Sequence, residues 1–339
     1  MNAIDLAIDR GDLSLLEKDI LKRKLRKLAK NGGLAYLHPL FQYRLCCARF
    51  ALKDLSDYTG WEWRSGAEGW SFSLSVHEQP LPGWDGGHVE RLWVIGEGGI
   101  GDEIFYASMF PDCLAKVKEV VYECDSRLHT IIERSFPKIK CVPRTHDWKD
   151  RSGVYIPAGD LLRVFRRNVK QFTTQPYLRV DGGRRDSLRQ YAGRIGVAAR
   201  GRQGSLDPFK FTLERPLSVQ YGEPLDGIES PELDLTNDIE GVFALVSLLK
   251  KVVTVPQSVH HFAGSVGVPV DIILPDLPGK VNNQIKWETE PGPLPWYRAF
   301  VYHNIEEWHG IQRTGRPASG RPTPSDQSSL ALPTVSVPT

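Results

Sequence analysis

The sequence predicts an α/β protein made of two doubly wound parallel sheets, and three observations carry that prediction. Short apolar runs alternate with helical stretches from Leu92 to Val164, and the pattern restarts from Ile195 to Leu274. A polar interval, Gln171 to Tyr191, separates the two series and marks a domain boundary. At 339 residues the chain is long enough for two domains, each with its own core.

Residues 1–57 are expected to form a helical hairpin. Leu13, Leu16, Ile20, Leu21, Leu25 and Leu28 make a helical stripe, Ser14 and Glu17 have the spacing of a capping box, and Asn31-Gly32-Gly33 ends the helix. The opposite face is basic, from Lys18 to Lys30, and reads as a solvated face. A second helix over Leu34 to Leu55 offers Tyr36, Leu40, Tyr43, Cys47 and Phe50 to a core. Residues 58–90 are rich in tryptophan, glycine and proline, which suits an irregular connector pinned by packed rings.

The first α/β series, residues 91–175, opens with RLWVIGEGGIGDEIFYASMFP, Arg91 to Pro111. Leu92 to Ile95 reads as a buried strand, four glycines turn the chain, and Asp102 to Met109 begins a helix. Further strands are expected at Val120 to Cys124, Ile139 to Val142 and Val154 to Ile156, with a helix at Arg127 to Ser135. The second series, 176–313, has strands at Ile195 to Ala198, Leu217 to Gln220, Val252 to Val255 and Val270 to Leu274. Its helices are Asp238 to Leu249 and Ser258 to Val266. Residues 314–339, rich in proline, serine and threonine and without periodicity, are expected to be disordered.

Composition narrows the function. Forty-three basic and 41 acidic residues leave a net charge of +2, so no strong field points to nucleic acid as the main partner. Five cysteines without a C-x-x-C pair suit reduced thiols and a cytoplasmic setting. No signal peptide or membrane span is legible.

The glycine loop admits two chemistries. Gly96, Gly98 and Gly101 spell G-x-G-x-x-G, and Glu123 lies where a ribose-binding acid is expected, so a dinucleotide-dependent oxidoreductase is one reading. Glu97, Asp102 and Glu103, however, crowd the helix start with negative charge and compete with a pyrophosphate for that field. The loop of Gly98, Gly99 and Gly101 then presents a carboxylate to a cleft, with Asp102 as a general base or, more simply, as a helix cap.

Six segments in order, WEWR (61–64), PGWDG (82–86), GEGGIGDEI (96–104), PYLRVD (176–181), IGVAARG (195–201) and VVTVPQSVHHFAGSVGVPV (252–270), make the chain resemble a known family. It is similar, over about 58–303, to the glycosyltransferase-like region of tetratricopeptide-repeat proteins, itself related to the ADP-heptose:lipopolysaccharide heptosyltransferases. The resemblance implies a GT-B fold, with acceptor on the first domain and nucleotide-diphosphate sugar on the second. It also implies no metal and no cofactor. The family's catalytic aspartate maps to Asp102, and its V-D-T-S-x-x-H segment, which holds the donor diphosphate, maps to Val255 through His261. Gln257, Ser258, Val259 and His261 are therefore the implied donor-binding residues. Arg200 and Arg202, on the loop after the first strand of the second domain, are candidates to neutralise the leaving diphosphate.

The resemblance implies a nucleotide sugar as donor and a hydroxyl acceptor of unspecified kind, on a glycan, lipopolysaccharide, protein or nucleic acid. Pro256, Gln257 and Ala198 depart from the family's usual aspartate, threonine and tryptophan, and proline offers no N–H. No 34-residue period is found in residues 1–60, so an array of repeats is not expected. Beside the inverting transferase stands a second reading, a catalytically silent GT-B module that binds a nucleotide or a protein.

Overall fold

The computed structural model describes residues 54–66, 81–144, 151–201, 204–208, 211, 213–275 and 292–314, with 42, 43, 46, 47, 49 and 50. The expected hairpin helix over 13–30, most of the 66–80 connector and the 315–339 tail lie outside the described residues.

The first sheet is all parallel. Strands β1 (Val89–Ile95), β2 (Val117–Cys124), β3 (Ile139–Pro143) and β4 (Val154–Pro157) lie in the order β3-β2-β1-β4. Leu92, Val94, Val120 and Tyr122 are completely enclosed, as strands covered on both faces require. Helices α1 (Ile100–Ala107), α2 (Phe110–Leu114), α3 (His129–Ser135) and α4 (Leu161–Phe165) connect the strands. Of the described connector tryptophans, Trp61 and Trp84 are buried as expected and Trp61 Nε1 donates to the Gly159 carbonyl at 2.9 Å, whereas Trp63 is 38% exposed and pins nothing. Tyr43 and Phe50 meet Trp61 at ring separations of 6.0 and 5.1 Å.

Helix α5 (Gly182–Ser187), within the polar interval, leads into the second sheet. That sheet comprises β5 (Ile195–Ala198), β8 (Pro216–Ser218), β9 (Lys251–Thr254), β10 (Val270–Ile273), β11 (Gly292–Pro293) and β12 (Ala299–Tyr302), with a small hairpin of β6 (Arg200–Gly201) and β7 (Gly204–Ser205) beside it. The order is β11-β12-β10-β9-β5-β8, parallel except for the β11–β12 pair. Helix α6 (Ile239–Ser247) is capped by Asp238, which accepts from the Gly241 N–H at 2.8 Å, and α7 (Ser258–Ser265) follows β9.

Elements beyond the predicted series include α2, α5, the β6–β7 hairpin in what reads as a loop, β11, the buried strand β12 and helix α8 (Ile305–Thr314). Trp308 explains why α8 docks: its ring is 1% exposed and its Nε1 donates to Asp271 Oδ2 at 2.9 Å, on a carboxylate also held by Lys251 Nζ at 2.8 Å. No helix among the described residues is long and apolar enough to cross a membrane.

In each sheet the chain runs outward from its first strand in one direction and then crosses to the other side. The crossing falls between β1 and β4 in the first sheet and between β5 and β9 in the second. The carboxyl ends of strands at such reversals open the crevice where α/β proteins take ligands. The two halves meet through several bonds: Arg134 to Glu240, both N–O distances 2.6 Å, and Arg127 Nη1 to the Thr236 carbonyl at 2.8 Å. Truncating Trp308 to alanine is expected to lower the urea midpoint of the second sheet, at a cost of about 3–5 kcal/mol, because it opens a cavity and removes a donor from buried Asp271. Chemical unfolding followed by the fluorescence of the remaining tryptophans measures it.

Candidate active site

The glycine loop leaves β1 at the first reversal point, and Gly96, Gly98 and Gly101 each have their own steric reason, whereas a Cβ on Gly99 would make only ordinary contact. A Cβ on Gly96 would lie 2.2 Å from Glu103 Oε1 and 2.5 Å from the Glu123 carbonyl, so this position is glycine because a carboxylate packs against it. Gly98 has φ +71°, which side-chain-bearing residues rarely adopt. Gly101 admits the second domain: a Cβ there would come within 2.8 Å of His261 Cδ2 and 3.1 Å of Ser258 Cα. The fingerprint spacing is thus accounted for by packing within the protein.

The three loop carboxylates have three different fates. Glu97 is completely buried, and Arg64 Nε and a terminal nitrogen meet its two oxygens at 2.9 and 2.8 Å. The Gly159 N–H donates to the same carboxylate, and Arg64 also binds Asp160 Oδ1 at 2.7 Å. Glu103 is equally enclosed; it accepts from Arg144 Nε at 3.0 Å and from the Asp125 N–H at 3.0 Å. Burial pushes its carboxyl up to about 7, against the opposing pull of Arg144. Crowding of a ligand site by three acids is therefore corrected to one half-buried acid, because Arg64 and Arg144 neutralise the other two inside the fold. That acid is Asp102, whose Oδ2 accepts from the Gly99 N–H at 2.9 Å, so it does cap α1.

Glu123, the acid of the dinucleotide reading, is buried and paired with Arg151 at 2.8 Å, and Arg151 lies 4.2 Å over the Trp93 ring. Its carboxylate serves that ion pair and faces no crevice.

At the second reversal point Gly201 lies against the loop after β9, where a Cβ would sit 2.7 Å from the Pro256 carbonyl oxygen. The Arg200 guanidinium donates to the Glu223 and Pro224 carbonyls, the latter at 2.8 Å, and so ties down the next loop. Arg202 lies outside the described residues. Gln257 is the N-cap of α7, and both polar atoms of its amide are enclosed with no hydrogen-bond partner. Ser258 is half-buried at the first position of α7, whereas the Val259 side chain is in the core and leaves only its N–H for a ligand. His261 is 8% exposed; its Nδ1 is 3.2 Å from Tyr297 Oη.

The fold brings Asp102, Gly98, Gly99 and Gly101 together with Gln257, Ser258 and His261, because α1 and α7 pack against each other at Gly101. Arg200 belongs to the same reversal point as α7 but has its guanidinium on loop carbonyls. Behind the contact lies an aromatic cluster: Phe105 is 5.9 Å from His261 and 5.0 Å from Trp296, and Phe172 is 5.2 Å from Trp296. Sequence reasoning assigned no role to Arg64, Arg144, Tyr177 or Tyr297. Arg64 and Tyr177 stand inside the recognised segments WEWR and PYLRVD, which was the available signal. Arg144 and Tyr297 carried none. No cluster of three or more metal-binding side chains occurs among the described residues.

No model of a known protein family matches the chain. It is similar to the curated protein FlbA of Caulobacter vibrioides, 25% identical over 308 residues that cover 71% of this chain and 50% of FlbA. The chain spans about half the length of that relative. Similar solved structures include the glycosyl transferase family 9 protein of Veillonella parvula, at TM-score 0.43 and 9% identity over 70% of this chain and 92% of that one. The E. coli heptosyltransferase WaaC, with ADP-2-deoxy-2-fluoro heptose, gives 0.39 and 11% over 67% and 100%. The iron-containing dodecameric glycosyltransferase TibC of enterotoxigenic E. coli gives 0.37 and 12% over 56% and 58%. These neighbours are described as heptosyltransferases and family 9 glycosyltransferases.

Two outcomes test the buried carboxylates. Arg64→Met removes the arginine that meets both oxygens of buried Glu97 and is expected to cost about 3–5 kcal/mol in chemical denaturation, part of which returns in Arg64→Met/Glu97→Gln. For Glu103 the folded pKa is raised, so its favourable contribution is complete below the unfolded value and is lost as pH rises through about 7. Relative to Glu103→Gln, the wild type is therefore expected to lose up to roughly 3 kcal/mol between pH 4.5 and 7.5, read from urea midpoints across that range.

Proposed function

We propose that this protein is a metal-independent, inverting glycosyltransferase of GT-B type. One observation carries the reading: the two sheet-reversal points face each other, with the half-buried carboxylate of Asp102 on one side and, on the other, the N-terminus of α7 carrying the unpartnered Gln257 amide. A helix N-terminus offers free N–H groups and a positive end to a diphosphate. A buried amide with no partner is what a bound ligand satisfies.

The reaction follows from those roles. Asp102 takes the proton of an acceptor hydroxyl as its oxygen attacks the anomeric carbon of the sugar. The carbon–oxygen bond to the diphosphate breaks, its electron pair leaves with the phosphate, and the anomeric centre inverts. Charge building on the leaving group is met by the first N–H groups of α7, at Ser258 and Val259, and by the Gln257 amide. Arg200 is engaged with backbone carbonyls, and Arg202, the other arginine that the sequence offered to the leaving diphosphate, lies outside the described residues.

A second reading, a silent nucleotide- or protein-binding module, has a specific observation in its favour. Asp102 is already used as a cap, and α1 and α7 are in contact at the place where donor and acceptor would meet.

Calorimetric titration with UDP, GDP, ADP and dTDP decides whether a diphosphate binds, and Gln257→Ala is expected to weaken a true ligand about 5- to 50-fold. With the matching nucleotide sugar, Asp102→Asn is expected to retain binding and lose sugar release by about 100-fold or more. Binding with no turnover in the wild type selects the silent module. Absence of binding to every diphosphate overturns both nucleotide readings.

A further inference from the structure

Tyr221 stands three residues past Ser218, the last residue of β8, and is 44% exposed. A single exposed ring needs no explanation by itself. The backbone that carries this one is fixed on both sides. Gln220, 4% exposed, accepts through Oε1 from the Arg200 N–H at 2.9 Å and donates through Nε2 to the Tyr221 carbonyl at 3.1 Å. Gly222 turns the chain at φ +76°, and the Arg200 guanidinium holds the Glu223 and Pro224 carbonyls just beyond it. Buried and backbone groups therefore hold the loop, and the tyrosine is presented at its surface.

Strand register places Tyr221 relative to α7. Val197 of β5 pairs with Ser218 on one side and with Val253 on the other, so Tyr221, three residues past Ser218, and Gln257, four past Val253, lie at nearly the same height beyond the sheet. β8 and β9 flank β5 and are about 10 Å apart across it. A ribose and its first phosphate separate a base from the second phosphate by about the same span. The loop also borders the first domain. The Gly222 N–H donates to Thr236 Oγ1 at 3.4 Å, and the Thr236 carbonyl accepts from Arg127 Nη1 at 2.8 Å. Arg127 is held by Asp125, directly after β2, through bonds of 2.9 and 2.7 Å. Tyr221 thus belongs to the region where the carboxyl ends of the two sheets approach each other.

We propose that the Tyr221 ring is the platform on which the base of a nucleoside diphosphate stacks while the diphosphate lies at the N-terminus of α7. This rests on the reading of α7 as the diphosphate site. It assigns the donor to the nucleotide sugars rather than to lipid-linked sugar diphosphates, whose apolar chain offers no flat ring. Every base has a π face, so the stack takes purines and pyrimidines alike and the choice among them falls to other groups. A loop that is already braced adds little ordering cost when the base arrives.

Calorimetric titration of the full chain with UDP, GDP, ADP and dTDP, and with inorganic pyrophosphate as a ligand that lacks a base, compares the wild type with Tyr221→Ala and Tyr221→Phe. Both substitutions are at an exposed position and are expected to leave the urea midpoint in place. Tyr221→Ala is expected to weaken the nucleoside diphosphate about 5- to 100-fold and to leave pyrophosphate within about 2-fold. Tyr221→Phe keeps the ring and is expected to bind the nucleotide within about 2-fold of the wild type. Nucleotide affinity unchanged in Tyr221→Ala overturns the proposal while the diphosphate reading stands. A loss in Tyr221→Phe as large as in Tyr221→Ala also overturns it, because the contact then belongs to the hydroxyl. So does a wild type that binds pyrophosphate as tightly as any nucleoside diphosphate, because the base then has no contact. Binding of neither ligand overturns the transferase reading and this proposal with it.

Discussion

A missing side chain at Gly101 allows α1 and α7 to touch. Every other residue type would place a Cβ within 2.8 Å of His261 and 3.1 Å of the Ser258 backbone, distances that real Cβ atoms do not tolerate or tolerate only when the neighbour moves. Because the gap is absent, the helix that starts at the first sheet reversal and the helix that starts at the second come into register. The loop of one and the N-terminus of the other then share a single junction. The aromatic cluster of Phe105, Phe172 and Trp296 packs directly behind it and keeps water away from that side.

The same junction shows how a fold manages acid at a helix start. Three carboxylates within seven residues would oppose one another and any anionic ligand. Two are withdrawn into the interior, where each meets an arginine from a distant part of the chain: Arg64 is 33 positions from Glu97, and Arg144 is 41 from Glu103. A buried pair of this kind adds little net stability over apolar packing, but removing one partner is costly. Its effect here is selective, because it leaves Asp102 as the loop carboxylate at the surface of the cleft. Glu123 is treated in the same way by Arg151, which takes it out of reach of a ribose.

Strand positions of the first sheet were legible because both faces are covered. Leu92 to Ile95 and Val154 to Ile156 are continuous apolar runs, Val120 to Cys124 and Ile139 to Val142 are apolar except at Glu123 and Lys140, and each falls inside an observed strand. In the second sheet the same signal found β5, β9 and β10, whereas β12 is four residues long and follows a stretch of proline, tryptophan and tyrosine with no periodicity. Helix α8 was missed for a related reason. Its stripe is short, and what holds it is Trp308 reaching Asp271, a residue of another strand.

The chain's own order of residues determined the alternation of strand and helix, the position of the glycine turn at the end of β1, and the start of α7 at Ser258. These are local matters of apolar period, φ and capping, and they need no distant partner. Tertiary structure alone decided which acid of the loop stays outside the buried ion pairs and which arginine is already engaged. Each of those depends on a group 23 to 41 positions away, brought near by sheet topology, and no spacing in the sequence encodes that distance.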